Sequence, residues 1–170
     1  MYHPSGFQVA GRSLWIAIAE YRANSSATVM ELDALSLEVQ RSFLVRDHIG
    51  AVATDGRTAV LGANWDARRI YRWTLGGTQV AASPNPNFLA IQDMKWIGGV
   101  LYASGVGLGP NKGQCLLQQV DPLTLAPLKG SDLKGEICFT REGMAVYAGR
   151  FFFLPEDEPD SKIYMVGAAR

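Results

Sequence analysis

Short apolar runs separated by glycine turns recur along the chain. The stretch GFQVAGRSLWIAIA, which starts at Gly6, has a mixed run, a turn at AGR and then the apolar run Leu14–Ile18. The same unit returns in GAVATDGRTAVLGA from Gly50, IQDMKWIGGVLYASG from Ile91 and GMAVYAGRFFFLP from Gly143. Glycine between two apolar runs supplies the positive φ that a tight hairpin turn needs. The pattern therefore predicts four antiparallel hairpins.

These turns have a regular spacing. The pivot glycines are Gly11, Gly56, Gly98 and Gly149, which lie 45, 42 and 51 residues apart. A period in the forties made of short strands is typical of a β-propeller blade. A β-sandwich is the alternative, but sandwiches rarely repeat one turn at one period. We therefore predict an all-β protein: one β-propeller domain, residues 1–170, with about fifteen strands in four antiparallel blades.

The repeats predict the blade boundaries and an incomplete last blade. Their approximate limits are residues 6–46, 47–87, 88–135 and 136–170. The motifs DALSL from Asp33 and DPLTL from Asp121 match each other at a second position of the repeat. The fourth repeat has three strands, ending at Val166, and we expect no strand before Gly6 that completes it. An open arc would leave apolar faces in water, so we expect a homodimer that forms one larger ring.

The apolar runs also predict how the strands are buried. Leu14–Ile18 and Phe151–Leu154 are apolar without alternation. Inner propeller strands are covered on both faces by neighbouring blades, which gives such continuous runs. We therefore expect both strands to be buried on both faces.

Composition excludes several classes of protein. Among 170 residues, 16 Lys and Arg balance 16 Asp and Glu, which argues against a nucleic-acid binder. No apolar run is long enough to span a membrane. The start, MYHPSGFQ, lacks the features of a signal peptide, so the chain as written is expected in the cytoplasm. Cys115 and Cys138 form no framework or zinc motif, and we expect two free, partly buried thiols.

Two classes of loop share one face of the predicted propeller. One class joins the second strand of a blade to the third, and the other enters the first strand. Binding residues usually lie on loops of a rigid scaffold, and the axial mouth is a usual pocket. The predicted ligand-binding residues are His3, Glu20, Arg22, His48, Trp65, Arg68, Arg69, Gln92, Asp93 and Glu142.

The chemistry of this face leaves alternatives open. His3 and His48 precede first strands, as general bases, metal ligands or partners of neighbouring backbone. Arg68 and Arg69 beside Trp65 indicate an anion or a ring-bearing ligand, or one arginine pairs with a carboxylate such as Asp66. No catalytic residue is identified, because GxSxG, P-loop and strand-to-helix GxGxxG motifs are missing.

A calcium site is the less favoured cofactor hypothesis; otherwise no cofactor or metal is expected. Lactonase and esterase propellers hold calcium at the axis by oxygens from several blades, which here is fold-level analogy. The available donors are Glu20, Asn64, Gln92, Asp93 and Glu142. The acidic loop Pro155–Ser161 is expected to be a solvated loop, with calcium binding as its alternative.

Several segments resemble an uncharacterised bacterial and fungal β-propeller family, a domain of unknown function. They are YHPSGFQVAGRSLWIAIAEYR, DHIGAV, WDARRIYRW, IQDMKWIGGVLYASGVG and FLPEDEPDSKIYMV. The resemblance implies a propeller and carries over no catalytic residue. Members of that family are longer at the N-terminus, which implies that this chain lacks the family's N-terminal part.

The leading hypothesis for function is a propeller binding module of unknown ligand. A lactonase-like or esterase-like metal-dependent hydrolase and a protein–protein interaction scaffold are the alternatives, and whether the protein is an enzyme stays open. A thermal-shift screen with divalent ions separates the first two hypotheses, because a bound ion stabilises the folded state.

Overall fold

The computed structural model describes residues 1–156 and 159–168, which form four antiparallel sheets. Blade 1 contains β1 (Tyr2–Pro4), β2 (Gln8–Ala10), β3 (Ser13–Glu20), β4 (Ala27–Asp33) and β5 (Val39–Val45). Blade 2 contains β6 (Ala51–Thr54), β7 (Val60–Ala63), β8 (Arg69–Trp73) and β9 (Gln79–Pro84). Blade 3 contains β10 (Leu89–Ile97), β11 (Val100–Gly107), β12 (Cys115–Val120) and β13 (Pro127–Asp132). Blade 4 contains β14 (Gly143–Tyr147), β15 (Arg150–Leu154) and β16 (Tyr164–Ala168).

The predicted fold class is confirmed. The protein is an all-β propeller of four antiparallel blades, and within the described residues its last blade has three strands. The helical residues described are two short 3₁₀ turns, Trp65–Ala67 and Gly109–Asn111. No helix in the described ranges is long and apolar enough to cross a membrane.

The N-terminus differs from the prediction, because β1 is a strand before Gly6. The innermost position of blade 1 is shared by two short strands, and both pair with β3. At the break between them, the Ser5 N–H donates to the Ala17 carbonyl at 2.8 Å, and the Ala17 N–H donates to Ser5 Oγ at 2.9 Å. Ser5 thus continues the ladder through its side chain where the backbone leaves the strand.

The repeated turns have a common local cause. In DALSL and DPLTL, Oδ1 of the leading aspartate accepts hydrogen bonds from the N–H groups two and three residues later. Leu37 and Leu125 then take positive φ, 60° and 63°, at the same position of the motif. The backbone donors lower the pKa of Asp33 to about 2 and also lower that of Asp121. The two matching motifs are therefore one turn used twice.

Apolar packing joins consecutive blades. One buried cluster joins blades 1 and 2, a second joins blades 2 and 3, and a third joins blades 3 and 4. Among the described residues, no such cluster joins blades 4 and 1. The propeller is therefore packed as an arc of three filled interfaces.

This arc corrects the prediction that both apolar runs are buried on both faces. In β3, Trp15 and Ala17 are buried against blade 2, whereas Leu14, Ile16 and Ile18 on the other face are only partly buried. In β15, Phe151 and Phe153 are buried against blade 3, whereas Phe152 is partly buried and Leu154 is exposed. Each terminal blade has one neighbour, so one face of each lacks a covering blade. We call these uncovered surfaces the end faces of blades 1 and 4.

The prediction of two free thiols is wrong. Cys115, buried on β12, forms a disulfide with Cys138, and their Cα atoms lie 5.4 Å apart. Cys138 lies in the segment between β13 and β14, which folds back beside blade 3. The two residues are 23 positions apart and in no spacing motif, so only the path of this segment brings them together.

Candidate functional site

A cavity of about 630 Å³ opens on the predicted face, where the inner strands of the blades meet. We call it the axial cavity. Its lining consists of residues 3–7 and Tyr21 from blade 1, His48, Gly50 and residues 64–66 from blade 2, residues 91–93 from blade 3, and residues 142–145, 152–154 and Ile163 from blade 4. Every blade contributes, and the apolar end face of blade 4 forms part of the wall. A volume of this size suits a small organic molecule.

Six of the ten predicted site residues line this cavity. They are His3, His48, Trp65, Gln92, Asp93 and Glu142. Gln92 lies at a β-bulge in β10, between Ile91 and Asp93. A bulge changes the direction of a side chain relative to the regular pleat, which lets residues 91–93 all reach the lining. Ligand binding by these residues stays a prediction.

The other four predicted residues lie outside the lining. Arg22 forms an ion pair with Glu20, and both side chains are at least partly exposed. Arg68 is exposed, and its Nε donates to the carbonyl of Trp65 at 3.3 Å. Arg69 is exposed at the start of β8. The two arginines beside Trp65 therefore bring no positive charge to the cavity wall, which removes the geometric basis for an anionic ligand there.

Four rings form a continuous aromatic row on one side of the cavity. His3 contacts Tyr21, Tyr21 contacts Trp65, and Trp65 contacts His48, with centroid separations of 5.2, 5.3 and 4.9 Å. The two histidines therefore belong to one wall, with two rings between them. Tyr21 was missing from the predicted set. Its position between two polar residues in a loop gave no sign that its ring joins Trp65 from another blade.

His48 has a defined orientation. Its side chain is 5 % exposed, and Nδ1 lies 3.0 Å from the carbonyl oxygen of Glu20 and 3.4 Å from Ser25 Oγ. A carbonyl only accepts, so Nδ1 carries a proton, and in the neutral ring Nε2 is an acceptor. Within the described residues, Nε2 has no hydrogen-bond partner. The bonded Nδ1 also fits the alternative that His48 binds neighbouring backbone, but that bond uses only one ring nitrogen.

A hydrogen-bond network behind this wall fixes the loop that carries Trp65. Asp47 Oδ2 accepts from Asn64 Nδ2 at 2.9 Å and from the Tyr71 hydroxyl at 2.7 Å. Burial and the adjacent Asp47 carboxylate raise the pKa of Tyr71 to about 12, so the hydroxyl remains a donor. Asn64 Oδ1 also accepts from the backbone N–H of Arg69 at 2.8 Å. The Asn64 amide is therefore engaged on both sides.

The loop beyond Asn64 contains local backbone strain. Asp66 and Ala67 both have positive φ, 57° and 49°, although neither is glycine. Such conformations cost on the order of 1–3 kcal/mol each and concentrate at binding and catalytic sites. The strained turn holds Trp65 and Asp66 at the cavity wall.

At the bottom of the cavity, polar contacts join blade 1 to blades 3 and 4. We call this group the axial clasp; its members are Gly6, Gln8, Asp93 and Lys95. Lys95 Nζ lies 2.5 Å from both oxygens of Asp93, and the Met144 N–H of β14 donates to Asp93 Oδ2 at 2.9 Å. Gly6 lies so close to Asp93 that a Cβ on Gly6 would overlap Oδ1. The clasp thus brings the inner strands of three blades together.

Gln8 and the charge state of Asp93 complete the clasp. The Gln8 side chain accepts from the Trp96 N–H at 2.6 Å and donates to the Trp96 carbonyl at 3.4 Å, which satisfies the inner edge of β10. Asp93 is 2 % exposed. Burial raises the pKa of its carboxyl above the usual 3.8, although Lys95 and the backbone donors act in the opposite direction. Its oxygens are already engaged, so Asp93 acts here as a structural residue of the cavity floor.

The calcium hypothesis receives no support from the arrangement of its donors. Asn64 and Asp93 are bonded within the protein, as described above. In residues 1–156 and 159–168, no group of three His, Cys, Asp or Glu side chains comes together as a metal site. Asp157 and Glu158 of the acidic loop lie outside the described residues.

Comparison with known proteins identifies the fold and a family. The model of a family of unknown function (DUF6454) matches residues 1–120. No curated protein matches the sequence.

Solved structures similar to this chain share its fold at low identity. Glutaminyl cyclase from Myxococcus xanthus has 11 % identity and a TM-score of 0.63, covering 90 % of this chain and 64 % of that chain. BamB from Moraxella catarrhalis has 12 % identity and a TM-score of 0.56, covering 88 % and 39 %. The β-propeller domain of the Trilobed protease from Pyrococcus furiosus, described with an open velcro topology, has 8 % identity and a TM-score of 0.51, covering 99 % and 56 %. This chain thus spans less than two thirds of each.

Proposed function

This chain belongs to the DUF6454 family, which has no known function, and we propose from its geometry that it is a binding module that holds a small molecule in the axial cavity. The observation that carries the proposal is the cavity itself: about 630 Å³, lined by all four blades at the loop face. Small-molecule sites in proteins are concave, largely apolar and equipped with a few oriented polar groups. The aromatic row, the apolar wall of blade 4 and the fixed His48 ring match that description.

Binding without catalysis is the better-supported function. A hydrolase of the lactonase type needs metal ligands that converge, and the clasp and the Asp47 network engage two of the donors. The similarity to glutaminyl cyclase is a likeness of fold at 11 % identity, and fold alone carries no activity to this chain. No observation on the rim favours the scaffold alternative.

A fragment screen with a blocked variant tests the proposal. Ala145 lies exposed on β14 and lines the cavity, so Ala145→Trp fills the cavity while leaving the buried clusters unchanged. Ala81, exposed on the rim strand β9, gives the matched control Ala81→Trp. We expect fragments that bind the wild type, detected by ligand-observed NMR, to bind Ala81→Trp equally and to lose binding to Ala145→Trp.

The screen has clear contrary outcomes. Fragments that bind all three proteins equally would place binding elsewhere, and a library without any hit on the wild type would overturn the binding module. Circular dichroism and light scattering on each variant verify that the fold and the mass are unchanged.

A further inference from the structure

The charge of the cavity wall indicates the charge of its ligand. The lining contains the carboxylates of Asp66, Asp93 and Glu142, and no lysine or arginine among the described residues. Asp93 is paired with Lys95, which leaves two acidic positions at the wall and no cationic counterpart. A concave site with one sign of charge concentrates ligands of the opposite sign. The wall therefore favours cations and disfavours anions.

The aromatic row supports the same sign. The faces of aromatic rings carry negative electrostatic potential, and cations positioned over Trp or Tyr are attracted by roughly 0.5–2 kcal/mol, depending on desolvation. Trp65 and Tyr21, whose centroids are 5.3 Å apart, are both at the cavity wall. Opposite them, Phe7 and Phe152 offer apolar surface. The cavity thus presents an aromatic and acidic side and a hydrocarbon side.

His48 adds a hydrogen-bond requirement. Its ring lines the cavity, is 5 % exposed, and is held through Nδ1 by the Glu20 carbonyl. The acceptor Nε2 has no partner in the part of the chain that the structure describes. A buried acceptor without a partner is costly, and a ligand N–H donor removes that cost.

These three observations converge on one ligand class. We propose that the axial cavity binds an organic cation, a protonated amine on a ring-bearing or hydrocarbon body. The amine N–H donates to His48 Nε2, the positive charge lies near Asp66 and the Trp65 ring, and the apolar body packs against blade 4. This proposal rests on the small-molecule binding function proposed above and defines its ligand class.

Four probes of one shape test the proposal on the wild-type protein. They are 2-phenylethylamine, its N,N,N-trimethyl ammonium derivative, the neutral alcohol 3-phenylpropanol and the anion 3-phenylpropionate. We expect 2-phenylethylamine to bind about tenfold more tightly than the alcohol, since cation–π attraction and the charged hydrogen bond add favourable free energy. The propionate should bind most weakly. The trimethyl derivative, which has no N–H to donate, should fall several-fold below the amine.

A charge-only variant separates the cation preference from shape. Asp66→Asn keeps the size of the side chain, and asparagine tolerates the positive φ at this position. We expect Asp66→Asn to weaken binding of the amine about threefold while leaving binding of 3-phenylpropanol unchanged. Glu38→Gln, an exposed acidic residue outside the lining, is the control for net charge and should change neither.

The outcomes distinguish the two proposals. If the alcohol or the propionate binds as tightly as the amine, the cation class is wrong and the binding module stands. If no probe binds, and the fragment screen also finds no ligand, both proposals fail. If Asp66→Asn weakens the amine and the alcohol equally, the effect is one of shape and the cation class is overturned.

Discussion

Blade 2 and the terminal blades differ in how much of their apolar surface is covered. Every residue of β7 in blade 2 is buried, because blades 1 and 3 pack on its two faces. The corresponding strands β3 and β15 are buried on one face only. All three strands have apolar sequences, so the difference comes from the number of neighbouring blades and not from the strands themselves.

The comparison shows two ways of joining blades. Consecutive blades are joined by large apolar clusters, whereas blade 1 meets blades 3 and 4 through the polar axial clasp. Apolar packing depends on area and has little directionality, while hydrogen bonds fix the distance and angle of particular groups. The clasp therefore positions the inner strands at the axis and leaves the end faces apart. The axial cavity is the space that results between them.

The largest expected effect concerns the end faces. Leaving several hundred Å² of apolar surface in water costs on the order of 10 kcal/mol at roughly 25 cal/mol per Å². We therefore still predict a homodimer that covers the end faces, with a mass twice 18.5 kDa by light scattering at micromolar concentration. Met165, 55 % exposed on the end face of blade 4, gives the disrupting variant Met165→Glu. Leu128→Glu on the rim strand β13 is the control, and a wild-type mass near 18.5 kDa contradicts the dimer.

Two adjacent phenylalanines compare a filled interface with the gap. Phe151 is buried between blades 3 and 4 against the Tyr102 ring, with centroids 5.1 Å apart, whereas Phe152 faces the cavity. We expect Phe151→Ala to lower the free energy of unfolding by about 3–5 kcal/mol. Phe152→Ala should cost about 1 kcal/mol, because its ring is only partly removed from water. Urea denaturation measures both, and equal costs would mean that the end face of blade 4 is covered.

The clasp itself gives a pH-dependent prediction. Lys95→Met leaves Asp93 buried without its cation, which should cost about 3–5 kcal/mol at pH 7. Burial already raises the pKa of Asp93 above 3.8, and loss of Lys95 raises it further. The folded state then binds a proton more tightly than the unfolded chain, so stability falls as pH rises above 3.8 toward the folded pKa.

The variant should therefore recover stability when the pH is lowered from 7 to 5, as urea denaturation at the two values would measure. Lys112→Met, at an exposed loop position, is the control and should change stability by no more than about 0.5 kcal/mol. An equal loss at both pH values would show that Asp93 is not the source.

A smaller effect is expected from the close approach of blade 1 to Asp93. Gly6→Ala places a methyl group against Oδ1, which should cost about 1–3 kcal/mol through displacement of the clasp. Gly143→Ala is matched, because its Cβ would meet only Leu154 Cβ at 3.9 Å, an ordinary contact. We expect the control to stay within about 0.5 kcal/mol in thermal unfolding. If both variants behave alike, blade 1 does not meet Asp93 closely.

The candidate site was predictable where it depends on loop position. His3, His48, Trp65, Gln92 and Glu142 follow from assigning loops to one face of the propeller, and they do line the cavity. Arg68 and Arg69 follow from the same rule and lie outside, because a loop position does not specify the direction of a long side chain. Tyr21, the apolar wall of blade 4 and the Cys115–Cys138 disulfide depend on residues that meet only after the chain folds.

The sequence by itself determined the repeating unit. Glycines such as Gly56 and the aspartates of the DALSL and DPLTL turns act within a few residues of themselves, so their spacing alone predicts hairpins, blades and period. Burial of β3 and β15 was decided by the tertiary structure. An apolar run shows that a strand can be buried on both faces, but burial requires a neighbouring blade on each side. The strands at the ends of this arc have only one, and the polar clasp replaces the second.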